Sequence, residues 1–168
     1  MRVHVVGDTP EIVVAGIPRT GTRWITNQLG GKDFKAVAGN VYKTHGLAPP
    51  EYFYNPRHDT INELLMEGGW KAIFMFGDPV ASVISTINNI FDRNHFNNCG
   101  VVADPKDIDI TKEDKLNYER MFDSWMKPHP YPVIALRYET LPHHKREIEE
   151  FTGVTFDFSK WKARKYDW

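Results

Sequence analysis

Four short apolar runs recur along the chain, each followed by a turn and then a helix-period pattern. They are Ile12 to Ile17, roughly Ala38 to Tyr42, Lys71 to Phe76, and Pro132 to Leu136. Runs such as IVVAGI and AIFMF are apolar at every position, whereas a strand wetted on one side alternates apolar and polar residues. Buried strands alternating with helices predict an α/β fold: a three-layer domain with a mainly parallel sheet flanked by helices. At 168 residues the chain fits a single domain, 1–168, with a core that needs neither disulfide nor metal.

The helices announce their ends. Trp24, Ile25 and Leu29 give the first an apolar side, and Gly30-Gly31 stops it. Thr60-x-x-Glu63 reads as a capping box ahead of Ile61, Leu64 and Leu65, with Gly68-Gly69 at the far end. Asp78 before Pro79 pairs an N-cap with a proline at the first helical position, and that helix runs through Val83, Ile84 and Ile87 to about Ile90. Tyr118, Met121, Phe122 and Trp125 form an amphipathic stripe closed by Pro128. Thr140 with Pro142 opens a last helix whose Ile148 and Phe151 face the core. The stretch from Asp92 to Asp114 breaks the pattern. It is polar, holds Asn, Gly and Pro, and is long for a connection, which predicts a mobile flap beside the site.

A net charge of -1 excludes whole-molecule basicity as a route to nucleic acid, so anion binding must come from a local cluster. Cys99 is the single cysteine and can form no internal disulfide. Free thiols suit a reducing cytosol, and neither a secretory leader nor an apolar run of membrane-spanning length is visible. The expectation is a soluble cytoplasmic protein with no membrane partner.

The densest chemical signal follows the first apolar run. Gly16-Ile17-Pro18-Arg19-Thr20-Gly21-Thr22 stands between a buried strand and a helix. Paired glycines in that context let the backbone curl so that amides converge on one anion, with the positive end of the helix behind them. Arg19 inside the loop adds a full charge. The loop is not a Walker A sequence, because Gly21 is followed by Thr22 and Arg23 rather than by Lys and Ser or Thr. Without that Lys a nucleoside triphosphatase loses a main source of charge stabilisation.

IPRTGTRW resembles the 5′-phosphosulfate loop of sulfotransferases that use 3′-phosphoadenosine 5′-phosphosulfate (PAPS), commonly PKSGTTW. Pro18, Gly21, Thr22 and Trp24 match, Thr20 stands for Ser, and Arg19 stands for the catalytic Lys, as in the protein-tyrosine branch. Lys43-Thr44-His45 resembles the family's KTH segment, which supplies the catalytic histidine. AIFMFGDPVASVIS resembles the unit that binds the 3′-phosphate, usually RxPxxxxxS after apolar residues. VIALRYETL and FTGV resemble VLRYEDL and FLGV. The motifs come in family order over roughly residues 12 to 155.

The resemblance implies PAPS as co-substrate, a hydroxyl on a small molecule, glycan or peptide as acceptor, and no required metal. It implies His45 as general base, with Arg19 and Lys43 supplying positive charge at the reacting centre. It implies Pro18, Arg19, Thr20, Gly21, Thr22, Arg23, Trp24 and Ser85 as donor contacts. One departure is sharp: Gly77 occupies the place of the arginine that grips the 3′-phosphate. Arg93, or Arg164 and Lys165 in the tail, are candidate replacements. Tyr52, Phe53 and Tyr54 are candidates to line an acceptor pocket. His143 and His144 read as solvated, His95 and Cys99 make no zinc site, and Glu139 reads as a brace. Two rivals stay open. IFMFGD mimics a Walker B strand and would suit a P-loop kinase or NTPase, while Gly77 suits a non-catalytic nucleotide-binding protein of the same fold.

Overall fold

The computed structural model describes residues 11–30, 41–51, 58–88, 109, 111–114 and 116–162. Within them β1 (Ile12–Gly16), α1 (Thr22–Gln28), β2 (Val41–Thr44), α2 (His58–Met66), β3 (Lys71–Phe76) and α3 (Pro79–Asn88) follow one another. After these come α4 (Tyr118–Met126), β4 (Val133–Arg137), a 3-10 segment (Tyr138–His144) and α5 (Lys145–Thr152). The four strands form one parallel sheet in the order β2-β1-β3-β4. All five residues of β1 are buried, as its unbroken apolar run requires.

Strand alternation sends side chains to two cores. Val13, Ala15, Ala72 and Phe74 pack with Ile61 and Leu65 of α2 and with Met121 and Trp125 of α4. Ile12, Val14, Ile73 and Met75 pack on the other face with Ile25 of α1, Leu29, Ile148 of α5, and Phe156. Helices therefore cover both faces of a parallel sheet, and the carboxyl ends of its strands open on one edge. Chain order reverses at β1, whose neighbours are β2 and β3, and ligands of open α/β sheets bind beyond such a switch point. Among the described residues no helix is long and apolar enough to cross a membrane.

Local details depart from the sequence reading in three places. β2 spans Val41–Thr44, so Lys43 and Thr44 belong to the strand rather than to the turn after it, and residues 38–40 of the expected run lie outside the described set. Thr60 lies within α2, which already includes His58, so the capping box does not start this helix. The segment led by Thr140 is a 3-10 helix, and α-geometry begins only at Lys145. Pro142 has no N–H to donate four residues back, which defers the α ladder. The cap at Asp78 is present: its Oδ1 accepts from the Ala81 amide at 2.8 Å.

Candidate functional site

The loop between β1 and α1 is shaped by what its glycines exclude. A Cβ on Gly16 would lie 2.4 Å from Thr22 Cγ2 and 2.9 Å from both Met75 Cβ and the Met75 carbonyl oxygen. Strand, helix start and neighbouring strand thus meet at a point where no side chain fits. Gly21, at φ 83°, is the N-cap of α1, and a Cβ there would lie 2.9 Å from the Tyr138 ring. Between them Arg19 adopts φ 67°, a left-handed conformation that a non-glycine residue takes at a cost of about 1–2 kcal/mol. Such a cost is held by surrounding structure and gathers at sites of function.

Thr20 supplies part of that hold. Its hydroxyl lies 2.6 Å from the Ile17 carbonyl oxygen and 3.2 Å from that of Met75, pinning the loop to β3. Arg19 Nε–H donates to Ser85 Oγ at 3.1 Å. Two residues from separate motifs therefore meet over the crevice, one from the loop and one from α3. Both bear groups that contact oxyanions.

His45 follows β2 directly and is 3% exposed. Its Nδ1 lies 2.6 Å from the Gly16 carbonyl oxygen. A carbonyl can only accept, so Nδ1 carries the hydrogen and the basic lone pair of the neutral ring falls on Nε2. The peptide chain around this histidine is held from α4. Trp125 Nε1–H donates to the Gly46 carbonyl at 3.0 Å, and the Ala48 amide donates to Ser124 Oγ at 2.7 Å. In the sequence Trp125 shows only as part of an amphipathic stripe, and Ser124 carries no signal. Their part in fixing the histidine spans 76 and 79 residues, which no local pattern encodes.

The remaining candidates divide. Pro18 and Thr22 are buried in the loop and first turn, Arg23 is exposed, and Lys43 is half-buried opposite Val14. Trp24 packs in an aromatic cluster, its ring centroid 4.8 Å from those of Phe158 and Trp161. Its observed neighbours make it part of the support beneath the loop. Tyr138, unmarked in the sequence reading, belongs to the same support, lying against Gly21 and 5.0 Å from Trp161. Glu139 is a brace, as expected: Oε1 accepts from the Asp78 amide at 2.7 Å and Oε2 from Arg137 Nε at 3.0 Å.

Gly77 sits at the end of β3, where a Cβ would meet Glu139 Oε1 at 3.0 Å and Thr20 Cγ2 at 3.5 Å. A carboxylate thus lies beside the position where the resembling family carries an arginine. His143 is exposed, and His144 Nδ1, at the N-cap of α5, pairs with Glu147 of that helix at 2.8 Å. Among the described residues no group of three or more His, Cys, Asp or Glu side chains is arranged to hold a metal ion. Arg164, Lys165, Arg93, His95, Cys99 and Tyr52 to Tyr54 lie outside the described residues, as does all of the 92–114 flap except 109 and 111–114.

No protein-family model, no curated protein and no solved structure matches this chain.

Proposed function

We propose that this chain is a PAPS-dependent sulfotransferase of P-loop fold, moving a sulfuryl group to an acceptor hydroxyl. The observation that carries the reading is the hydrogen bond between Arg19 and Ser85 at the carboxyl edge of the sheet. Two motifs read separately from the sequence, 66 residues apart, meet there beside a loop with no room for a side chain at Gly16 or Gly21.

The chemistry asks for positioning and for positive charge where negative charge develops, since sulfuryl transfer, like phosphoryl transfer, runs through a loose in-line transition state. PAPS, when bound, supplies an activated sulfuryl group whose leaving group is a phosphate. Pro18 and the amides of Thr20 to Arg23 shape the 5′-phosphate seat, and the Thr22 hydroxyl donates to it. Arg19 stabilises charge on the bridging and sulfonate oxygens, assisted by Lys43. His45 Nε2 takes the acceptor's proton as the new oxygen–sulfur bond forms and the bond to the bridging oxygen breaks. The electron pair of the broken bond stays with the adenosine 3′,5′-bisphosphate, so no metal or redox partner enters the balance. Trp24 acts through packing under the loop.

Gly77 favours a second reading, a non-catalytic nucleotide binder, because its neighbour Glu139 brings negative rather than positive charge. The kinase reading has less support, since Asp78 Oδ1 is engaged as a helix cap. Calorimetric titration with adenosine 3′,5′-bisphosphate and with ADP, each with and without magnesium, separates the three. Metal-independent preference for the bisphosphate, followed by transfer from PAPS, upholds the proposal. Magnesium-dependent preference for ADP refutes it. Bisphosphate binding without transfer to any acceptor selects the non-catalytic reading.

A further inference from the structure

The chain that follows β2 is irregular and yet buried. Residues 45–49 are all out of solvent, although they belong to no helix or strand. Buried backbone N–H and C=O groups need partners, and outside a ladder those partners must come from side chains, turns or water. Here they come from residues 124–131, the end of α4 and the link to β4. Beside the Trp125 bond to the Gly46 carbonyl and the Ser124 bond to the Ala48 amide, the Tyr131 hydroxyl donates to the Pro49 carbonyl at 2.8 Å, across 82 residues. Two local bonds complete the segment. The Gly46 amide donates to Thr44 Oγ1 at 3.0 Å, and the Glu51 amide to the Ala48 carbonyl at 2.9 Å.

The clamp is itself braced. His129 Nε2 lies 3.2 Å from the Trp125 carbonyl oxygen, and the His129 ring stacks on Tyr131 with centroids 4.9 Å apart. Trp125 stacks in turn on Phe74 of β3 at 5.7 Å, which ties the clamp to the sheet. Burial pushes the pKa of the Tyr131 hydroxyl above its ordinary value, so the group keeps its proton and stays a donor. The Lys127 to Glu51 pair at the far end of the segment is exposed and adds little.

We propose that Tyr131 is a positioning residue for His45, acting with Ser124 and Trp125 through the buried 46–49 segment. The proposal rests on the sulfotransferase reading for the role of His45 as a base, whereas the clamp does not depend on it. The Gly16 carbonyl fixes the imidazole only at Nδ1, and a ring held at one atom still swings with its backbone. A base must lie within about 2.6–3.2 Å of the proton that it takes, and a misplacement of about 1 Å costs on the order of 10²-fold in rate. Bonds at Gly46, Ala48 and Pro49 hold the backbone next to His45, so Nε2 is presented at one place. None of these bonds from residues 124–131 ends on Arg19 or Ser85, so their loss displaces the base and spares the donor seat.

The test follows the His45 Nδ1–H proton by NMR in the whole chain, and turnover with PAPS using 2-naphthol, glucose and a tyrosine-containing peptide as probe acceptors. Tyr131→Phe and Ser124→Ala each delete one oxygen and keep the packing around it, so both retain the fold. Exchange of the Nδ1 proton with water is expected to quicken about fivefold or more in each, the scale of one lost hydrogen bond. In both variants kcat is expected to fall about tenfold or more, with KM for PAPS and affinity for adenosine 3′,5′-bisphosphate within about twofold. In a His45→Asn background Tyr131→Phe is expected to leave the residual kcat within about twofold, because no base is left to misplace. Wild-type exchange or wild-type kcat in both variants overturns the inference. An equal loss of kcat with and without the His45 imidazole also overturns it, since Tyr131 would then act on the fold at large. Faster exchange in both variants, beside no transfer by the wild type to any probe, upholds the clamp and overturns the reading of His45 as a base in sulfuryl transfer.

Discussion

Arg19 Nε–H donates to Ser85 Oγ across 3.1 Å, which ties the glycine loop to the helix that follows β3. The bond orients a guanidinium that the loop backbone already aims by holding Arg19 at φ 67°. Arg19→Ala is expected to lower turnover by about 10²–10³, the usual loss when one donor to developing charge is removed. Arg19→Lys keeps the charge but loses the planar fork, so it should fall between the two. Ser85→Ala should weaken bisphosphate binding by about tenfold, the scale of one charge-assisted hydrogen bond. Kinetics with PAPS and calorimetry on the three variants check this. Equal affinity and turnover in Ser85→Ala would leave the bond without a functional part.

His45 offers a cleaner separation of structure from chemistry. Asn places an amide N–H near the position of imidazole Nδ1, so His45→Asn can keep the hydrogen bond to Gly16 O while deleting Nε2. Gln places its amide nearer the Nε2 position and gives up the bond to Gly16. Turnover should fall by about 10²–10⁴ in both, because neither amide is a base. Melting temperature should fall more in His45→Gln, which leaves a buried carbonyl without its donor. Bisphosphate affinity should change little in His45→Asn. Wild-type turnover in His45→Asn would remove the histidine from the mechanism.

Gly21 tests whether the loop is built by exclusion. Ala there meets two penalties: the left-handed φ of 83°, and a Cβ 2.9 Å from the Tyr138 ring. Gly69 has φ 73° with nothing within 4 Å of its Cβ position, so it isolates the first penalty. Gly69→Ala should cost about 1–2 kcal/mol. Gly21→Ala should cost about 1–3 kcal/mol more, the range for forcing extra atoms into a packed site. Denaturant unfolding measures both, and equal costs would show that Tyr138 yields freely.

These sites differ in how far sequence reveals them. β3 was legible to the residue, Lys71–Phe76, because a strand buried on both faces leaves an unbroken apolar run. Asp78-Pro79 was legible because capping is a local transaction, completed within three residues. Trp24 shows the opposite case. Its motif suggests a donor contact, but the packing of its ring against Phe158 and Trp161, more than a hundred residues away, has no local signal. Separation along the chain also hid Tyr138 behind Gly21, and it hid the Trp125 and Ser124 bonds, spanning 79 and 76 residues, that hold the peptide around His45. Thr60 misled locally, since Thr-x-x-Glu also occurs one turn inside a helix. His45 stands out in the sequence only through the company of Lys43 and Thr44, and its tautomer required the Gly16 carbonyl.

Gly77 carries the sharpest prediction, because there the chain departs from the family it resembles. If the 3′-phosphate lies over Gly77 and Ser85, its present neighbour is the Glu139 carboxylate, whose Oε1 is 3.0 Å from the position of a Cβ at 77. Gly77→Arg would add a bidentate donor and neutralise that carboxylate. The contact is tight by only a few tenths of an ångström and falls on the end of a side chain, so a small shift of Glu139 admits the new residue. Glu139 would keep an ion-pair partner even if its hold on the Asp78 amide loosened. The expected result is a gain of about tenfold or more in affinity for adenosine 3′,5′-bisphosphate, from one charge-assisted pair. Adenosine 5′-monophosphate, lacking the 3′-phosphate, should gain much less. Calorimetry with the two nucleotides reads the difference directly. An equal gain for both would mean that the arginine acts as general positive charge, and that the 3′-phosphate does not lie over Gly77.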